Sequence, residues 1–235
     1  MLIQKAWRRL KQAPLQLFKI DLLRNYYCWL RYRLLKRRLR FLPEESGGVG
    51  RYTVEHNLSA LDGRAAFGMG NRMSLLLYPL AAALRDRGDA RVLIVGPRTE
   101  DDIYWARALG MNDVRGLDLF SYSPWIDVGD IHRTNYATGT FDAVVLGWVI
   151  SYSARPEAMV AECKRILKPG GYLGFGIESN PEMRATGKYN PPRVNGLNSA
   201  SDIAALVDAP LLFIHDPATD VPTDNAVVFR LPEGP

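Results

Sequence analysis

Glycines and acids follow a series of short apolar runs in this chain, and these residue types can together bind a nucleotide. The residues that end or follow the runs are Gly96, Asp118, Asp130 and Gly147. Carboxylates accept hydrogen bonds from hydroxyl and amine groups, and glycine lets a ligand approach the backbone closely because it has no Cβ. Their order along the chain predicts a nucleotide-type pocket.

A histidine near the second acid is the best-placed candidate for proton transfer. His132 stands two residues after Asp130, and the ordinary pKa of histidine lies close to neutral pH. We predict His132 as the catalytic residue, and a role in the shell of the pocket or at the surface stays open. His56 and His215 have weaker claims.

The elements that must position these residues are strands that alternate with helices. The predicted strands are 91–95, 114–117, 126–128, 141–146 and 172–177, and the predicted helices are 71–87, 99–109, 156–167 and 201–207. Alternation of this kind indicates a parallel sheet that is covered on both faces. Ligands of such sheets bind beyond the carboxyl ends of the strands, at the point where the strand order reverses. The glycines and acids should therefore converge there.

Residues 71–235 resemble the class I S-adenosylmethionine-dependent methyltransferases. The resemblance is carried by VLIVGPRTEDD, GLDLF, GDIH, FDAVV and LKPGG. It implies an α/β fold: a Rossmann-like three-layer sandwich with a mostly parallel seven-stranded sheet and a C-terminal antiparallel strand. It also implies methyl transfer with S-adenosylmethionine as the cofactor.

The same resemblance implies which residues meet the cofactor. Gly96 belongs to the loop under the methionine part, Asp118 holds the ribose hydroxyls, and Asp130 meets the adenine amine. The predicted cofactor-binding residues are Gly96, Pro97, Arg98, Asp118, Leu119, Asp130, Ile131, Gly147 and Trp148. No metal site is predicted.

The first loop departs from the family pattern. Arg98 and Glu100 stand where the second and third glycines of the loop would fall, and Ile94 replaces an acid of the first strand. One interpretation is that Arg98 pairs with the methionine carboxylate. The other is that Arg98 and Glu100 fill the pocket, which would leave a catalytically inactive scaffold or binding protein.

The connection between the second and third strands is short. Residues 119–129 include SYSPW and leave too little chain for a covering helix and its turns. We therefore expect one face of the sheet near this edge to be covered by the N-terminal arm or by a second subunit.

The N-terminal arm, residues 1–42, carries 12 Lys and Arg residues and a single acid, Asp21. A helix is predicted from Pro14 to about Arg40, with an apolar stripe at spacing four formed by Phe18, Leu22, Tyr26, Leu30 and Leu34. A basic amphipathic helix with aromatic residues suits an anionic membrane surface. Packing on the core or in a homo-oligomer remains open, and nucleic acid is a less favoured partner.

The chain is divided into an amphipathic helical arm (1–42), a linker or N-terminal cap (43–70) and a methyltransferase-like domain (71–235). Residues 43–57 are polar and rich in glycine, which is typical of a linker. The arm has neither an apolar run that could span a bilayer nor a secretory signal. Cys28 and Cys163 lie far apart, which excludes a disulfide framework and fits a cytoplasmic protein.

The acceptor is less well defined by the sequence. Its wall is predicted from the Tyr122–Trp125 loop, Trp148–Tyr152 and the long segment 178–198. The arm and the pattern GLDLFSYSPWIDVGDIH favour a small or lipid-linked acceptor, such as a cell-surface glycan, at the cytoplasmic membrane face; the pattern looks like bacterial methyltransferases of polysaccharide assembly. An RNA methyltransferase stays open. A nicotinamide-dependent oxidoreductase is disfavoured because VGPRTED lacks the G-x-G-x-x-G spacing.

Overall fold

The computed structural model describes residues 14–43, 51–62, 72–188, 193–217 and 220–233. Its helices are α1 (Asp21–Leu35), α2 (Arg51–Asp62), α3 (Ser74–Ala83), α4 (Asp101–Ala108), α5 (Pro156–Ile166), α6 (Pro181–Thr186) and α7 (Ala200–Val207). Its strands are β1 (Arg40–Phe41), β2 (Arg91–Val95), β3 (Asp113–Asp118), β4 (Phe120–Ser121), β5 (Ile126–Val128), β6 (Phe141–Gly147), β7 (Leu167–Ser179), β8 (Leu211–His215) and β9 (Thr223–Arg230).

Seven strands form one sheet in the order β5-β3-β2-β6-β7-β9-β8. The first five of these are parallel, and β9 is antiparallel to both of its neighbours. After β2 the chain moves outward to β3 and β5, then returns to the other side of β2 with β6. The strand order therefore reverses beside β2, and the predicted Rossmann-like fold class is confirmed.

Helices cover both faces of this sheet, which makes three layers. On one face α5 and α7 bury Met159, Cys163 and Ile203 against the central strands. On the other face α3 and α4 pack Leu76 and Trp105 against those strands. Because both faces are covered, the central strands are apolar throughout rather than alternating.

Most predicted bounds agree with the structure, and two elements differ. Helix 71–87 is shorter, Ser74–Ala83, and Asn71 lies outside the described residues. Strand β7 begins at Leu167 because the LKPGG turn already pairs with β6, through Leu167 opposite Phe141 and a shift of register after it. The turn is thus an irregular part of the strand.

The predicted linker over residues 43–57 overlaps helix α2, so this assignment is wrong from Arg51 onward. Val54, Leu58 and Leu61 recur at helical spacing and pack with the aromatic cluster under the arm. Burial of this apolar stripe offsets the weak helix propensity of its neighbours. Residues 44–50 and 63–71 lie outside the described part of the chain.

The arm does not form the single helix that we predicted from Pro14 to Arg40. A 3₁₀ turn over Leu17–Lys19 ends at Ile20, whose extended backbone separates it from α1. The arm then ends in a second 3₁₀ turn and the short strand β1. Trp7 and the other residues before Pro14 lie outside the described residues.

The orientation of α1 is also unexpected, because most of its apolar stripe faces the solvent. The stripe residues Leu22, Tyr26, Leu30 and Leu34 are exposed, with 67%, 58%, 41% and 71% of their surface accessible. The buried face instead carries Arg24, Asn25, Cys28 and Tyr32. Of the predicted stripe, Phe18 turns inward and packs on Tyr104.

The predicted packing of the arm beside the short β3–β5 connection is confirmed. Strand β1 pairs antiparallel with β4, and the ring of Tyr32 meets that of Tyr122 at 5.1 Å. Phe120 and Tyr122 are almost completely buried there. The arm therefore covers the surface that a longer connection would cover with a helix.

Candidate cofactor site

One cavity lies at the carboxyl ends of β2, β3, β5 and β6, beside the point where the strand order reverses. All nine predicted cofactor-binding residues line it. The cavity is also lined by residues for which we predicted no cofactor role, including Asn57, Arg72, Met73, Asp102, Tyr152 and Met159. The parallel sheet thus brings together side chains that are far apart in sequence.

The loop after β2 keeps a glycine only where the backbone requires one. Gly96 has φ +70°, and a Cβ at this position would lie 2.3 Å from Cγ1 of Val149. Arg98 is also left-handed, with φ +51°, a conformation that is uncommon for residues other than glycine. Its amide donates a hydrogen bond to Oδ2 of Asp118 at 3.0 Å, which holds the backbone in this conformation.

Asp118 ends β3 and is buried below this loop. Its Oδ2 accepts from the Arg98 amide, and its Oδ1 accepts from the Leu119 amide at 2.7 Å. Burial raises the pKa of Asp118 to about 6, although hydrogen bonds from backbone amides act in the opposite direction. An ionised carboxylate has about four acceptor positions, so capacity for a ligand remains.

Asp130 forms a hydrogen-bonded chain with His132 and Ser153. Oδ1 of Asp130 accepts from the His132 amide at 2.9 Å and lies 2.6 Å from Nδ1 of the ring. The other ring nitrogen, Nε2, lies 2.6 Å from Oγ of Ser153. Burial raises the pKa of Asp130, but the hydrogen bonds from His132 outweigh it and hold the pKa below its ordinary value.

The structure does not bring His132 into the cavity with the other predicted residues. Its side chain is buried, both ring nitrogens are engaged, and it lines a neighbouring cavity on the far side of Asp130. Because a general base must reach the proton that it takes, this geometry does not support the predicted catalytic role. The geometry suits instead a residue that fixes Asp130.

Glu100 does not fill the cavity. It is fully buried and turned toward the arm, where Oε2 and Oε1 accept from Nε and Nη2 of Arg31 at 2.5 and 2.9 Å. Ser123 Oγ adds a hydrogen bond to Oε1 at 2.5 Å. The next acid, Asp101, pairs with Nε of Arg24 at 2.9 Å. The arm therefore neutralises two acids at the start of α4.

The cavity is also rich in charged side chains. Arg72, Arg98 and Asp102 line it, together with Gly147 and Trp148. The Arg72 guanidinium lies 4.6 Å from the ring centroid of Trp148. Desolvation lowers the pKa of Arg98, while the charge of Asp118 raises it.

Asp102 was missed as a site residue because Thr99 and Asp102, three residues apart before an apolar run, resemble a capping box. In the structure Oγ1 of Thr99 accepts instead from the amide of Asp101, at 3.2 Å. Three successive acids after an arginine were the available signal. Arg72 gave no signal, because nothing in the sequence connects it to the loop after β2.

The predicted acceptor wall is only partly brought to the cavity. Trp148, Val149 and Tyr152 line it. Tyr122 and Trp125 do not: Tyr122 packs under the arm, and Trp125 packs beneath Arg107, whose guanidinium lies 4.0 Å from its ring centroid.

The segment after β7 is tied to the loop that follows β6. The side-chain amide of Asn195 donates to the carbonyl oxygens of Ile150 and Ser153 at 2.8 and 2.9 Å. Asn198 links the same segment to Asn180, at the start of α6. Residues 189–192 lie outside the described part of the chain.

Comparisons with known proteins agree with this architecture. Residues 83–175 match the family model described as a methyltransferase domain. The chain is similar to the crystal structure of the [4+2]-cyclase SpnF, with 17% identity and a TM-score of 0.51. The match covers 66% of this chain and 80% of the cyclase. The chain is also similar to the structure of the YcgJ protein from Bacillus subtilis, with 14% identity and a TM-score of 0.50. That match covers 67% of this chain and 98% of YcgJ. No curated protein sequence matches the chain.

These similarities define the fold and one domain of the chain. At 17% and 14% identity the two solved structures establish the fold alone, and the family model adds a methyltransferase domain over residues 83–175. The sheet order is that of the Rossmann-like methyltransferase fold, and residues 83–175 match a methyltransferase domain. The matched domain implies S-adenosylmethionine as the cofactor.

The residues of the cavity fit that cofactor. Two carboxylates with unused acceptor positions stand at separate strand ends, as a ribose diol and an adenine amine require. A Cβ on Gly147 would lie 2.7 Å from the sulfur of Met73, so the backbone there stays bare and close to the cavity. The buried Nε1 of Trp148 has no hydrogen-bond partner within the described residues.

Proposed function

We propose that the cavity holds S-adenosylmethionine across the carboxyl edge of the sheet. Asp118 holds the ribose, Leu119 lies beside it, and Asp130 with Ile131 binds the adenine. Gly96, Pro97 and Arg98 hold the methionine part, and Gly147 and Trp148 border the reacting methyl group. The observation that carries this assignment is that one cavity contains all nine residues.

The cofactor supplies an electrophilic methyl group when bound, and the protein contributes orientation. Holding two reactants in line can supply much of the rate of such a transfer. Asp130 is kept ionised and fixed by His132, which is in turn held by Ser153. We assign His132 as a positioning residue, and methyl transfer then needs no general base from this histidine.

Calorimetric titration with S-adenosylmethionine and S-adenosylhomocysteine tests the assignment. Asp118→Ala should weaken both ligands by about 10- to 100-fold, because hydrogen bonds to a charged group contribute about 1.5–3 kcal/mol. Asp113→Ala is the matched control, since Asp113 begins the same strand and is exposed at its other end.

Either outcome separates the alternatives. Binding that is lost only in Asp118→Ala supports the cofactor site. Failure of the intact chain to bind either ligand would favour the inactive scaffold instead.

The acceptor, we propose, is a small or lipid-linked molecule, such as a glycan precursor, reached at the cytoplasmic face of a membrane. Support comes from α1, whose exposed face carries the apolar side chains Leu22, Tyr26, Leu30 and Leu34. Exposed lysines and arginines follow directly in Lys36–Arg38. No helix among the described residues is long and apolar enough to cross a bilayer.

The chemistry of this surface suits an anionic bilayer. Apolar side chains can enter the boundary between headgroups and acyl chains, and each nearby lysine or arginine contributes about 1 kcal/mol at an anionic surface. The opposite face of the same helix holds the start of α4 through Arg24 and Arg31. A membrane bound by α1 would therefore lie close to the enzyme's cavity.

Flotation with phosphatidylglycerol-containing vesicles, compared with pure phosphatidylcholine, tests this interaction. Replacing the three leucines of the exposed stripe by glutamine should reduce the bound fraction at least about tenfold, because each buried leucine contributes about 1.5–3 kcal/mol. The variants are Leu22→Gln, Leu30→Gln and Leu34→Gln. The control replaces the comparably exposed side chains of the opposite sheet edge, Leu211, Leu212 and Ile214, by glutamine.

Retention of vesicle binding by the α1 variant would contradict a membrane role for this face. Salt-dependent binding of RNA in preference to anionic vesicles would favour an RNA acceptor instead.

A further inference from the structure

We propose that Asp102 binds the α-ammonium group of the cofactor, opposite Arg98, so that two charged side chains hold the amino-acid end of S-adenosylmethionine. This inference rests on the proposed cofactor site and deepens it. It assigns a residue that the sequence did not indicate, and it gives the unusual first loop a function.

The position of Asp102 is the first observation. Glu100, Asp101 and Asp102 are consecutive acids at the start of α4, and the arm pairs with the first two through Arg31 and Arg24. Asp102 is the third, and it lines the cavity. Within the described part of the chain it makes no hydrogen bond or ion pair. Asp101 borders the same cavity but is neutralised by Arg24, so Asp102 is the acid of the three that faces the cavity without a partner among the described residues.

The surroundings of Asp102 are the second observation. Burial raises its pKa to about 7, the charge of Asp101 adds to this, and Arg24, Arg72 and Arg98 oppose it. Keeping a charge in such a place is costly unless a cation pairs with it. A cationic group that enters the cavity would stabilise the ionised form, and the cofactor carries such a group on its amino-acid part.

The sequence of the loop supplies the third observation. A loop with three glycines offers bare backbone to a ligand, whereas here the second and third positions are Arg98 and Glu100. Glu100 turns away to the arm, and Arg98 lines the cavity. Arg98 and Asp102 line the same cavity with opposite charges that influence each other's pKa, which matches the carboxylate and the ammonium of an amino acid.

Truncated ligands test each charge separately by calorimetry. S-adenosylhomocysteine carries both groups, its decarboxylated analogue keeps only the ammonium, and methylthioadenosine has neither. Asp102→Asn should weaken the first two ligands at least about tenfold, which corresponds to about 1.4 kcal/mol, and leave methylthioadenosine unchanged. Arg98→Gln should weaken S-adenosylhomocysteine alone. Asp101→Asn, the neighbour held by Arg24, should leave the ratios between ligands unchanged.

A pH series provides a second readout. The ratio of S-adenosylhomocysteine affinity to methylthioadenosine affinity should rise between pH 5.5 and about 7.5, because Asp102 must be ionised to bind an ammonium group. The ratio cancels the titration of Asp118, since both ligands carry the ribose. In Asp102→Asn the ratio should be flat across this range.

Three results would overturn the inference or its basis, and they are distinguishable. Equal weakening of methylthioadenosine by Asp102→Asn would show a structural effect. Unchanged affinity for all three ligands would show that Arg98 and Asp102 merely balance each other. If the intact protein bound none of the three ligands, the proposed cofactor site itself would fail.

Discussion

At the scale of single residues, the first loop shows how a glycine motif can diverge while its backbone is kept. Arg98 occupies the left-handed conformation at the second glycine position, and its amide is fixed by Asp118. Gly96 has to remain glycine, because a Cβ there would lie 2.3 Å from Cγ1 of Val149 and its positive φ adds strain. Side-chain chemistry was thus free to change where the backbone could tolerate a Cβ.

Substitution of Gly96 should therefore lower the free energy of unfolding by more than the left-handed backbone alone explains. Gly96→Ala has to move Val149 or the loop, whereas Gly139→Ala at φ +67° meets no atom within 4 Å. The left-handed backbone should lower the free energy of unfolding of both variants by about 1–2 kcal/mol. The clash with Val149 should lower that of Gly96→Ala by about 1–3 kcal/mol more. Denaturant unfolding measures the difference, and equal losses in the two variants would contradict the proposed close approach.

At the scale of elements, helix α1 is joined to helix α4 by ion pairs rather than by its apolar stripe. Arg24 is almost completely buried and also lies 4.5 Å from the ring centroid of Trp105. Arg31 binds both oxygens of the fully buried Glu100. Because α4 begins at the cofactor loop, the arm fixes one wall of the site through these contacts.

Loss of Arg31 should strongly destabilise the fold. Arg31→Ala leaves the charge of Glu100 buried without its ion-pair partner, which typically costs about 3–5 kcal/mol. Arg37→Ala, at an exposed position of the same arm, should change stability by less than about 0.5 kcal/mol.

The double variant Arg31→Met with Glu100→Gln should recover part of the loss, because the neutral amide can still bond with Ser123. Melting temperatures of the three variants provide the measurement. No recovery in the double variant would contradict the electrostatic explanation.

At the scale of the whole molecule, the arm stabilises the fold with one face and exposes an apolar surface on the other. One face completes the layer beside the short β3–β5 connection, and the other presents leucines and a tyrosine to solvent. A helix with two such faces can bind an external surface with one face while the other contacts the wall of the cofactor cavity.

Deletion of residues 1–42 should lower both the melting temperature and the solubility. It would expose Tyr104, Phe120 and Tyr122, which are buried beneath the arm, and contiguous exposed apolar surface promotes aggregation. A deletion of residues 1–13, which keeps α1, is the control. Unchanged melting and solubility after the longer deletion would contradict a structural role for the arm.

The sequence by itself determined the parallel sheet and the residues at its strand ends. An apolar run such as Arg91–Val95 defines a strand because burial on both faces of the sheet demands continuous apolar residues, and its bounds were predicted. The convergence of Asp118 and Asp130 followed because all parallel strands end at the same edge.

Only the tertiary structure decided which charges meet and which face of α1 is buried. Arg31 and Glu100 are 69 residues apart, and Arg24 and Asp101 are 77 apart. Periodicity describes one element at a time, so it gave the spacing of the stripe but not the partner that would cover it. An apolar stripe normally marks the inward face of a helix, but here ion pairs and a buried tyrosine hold the opposite face. The roles that we propose for Asp102 and His132 likewise depend on residues distant in sequence, Arg72 for the first and Ser153 for the second.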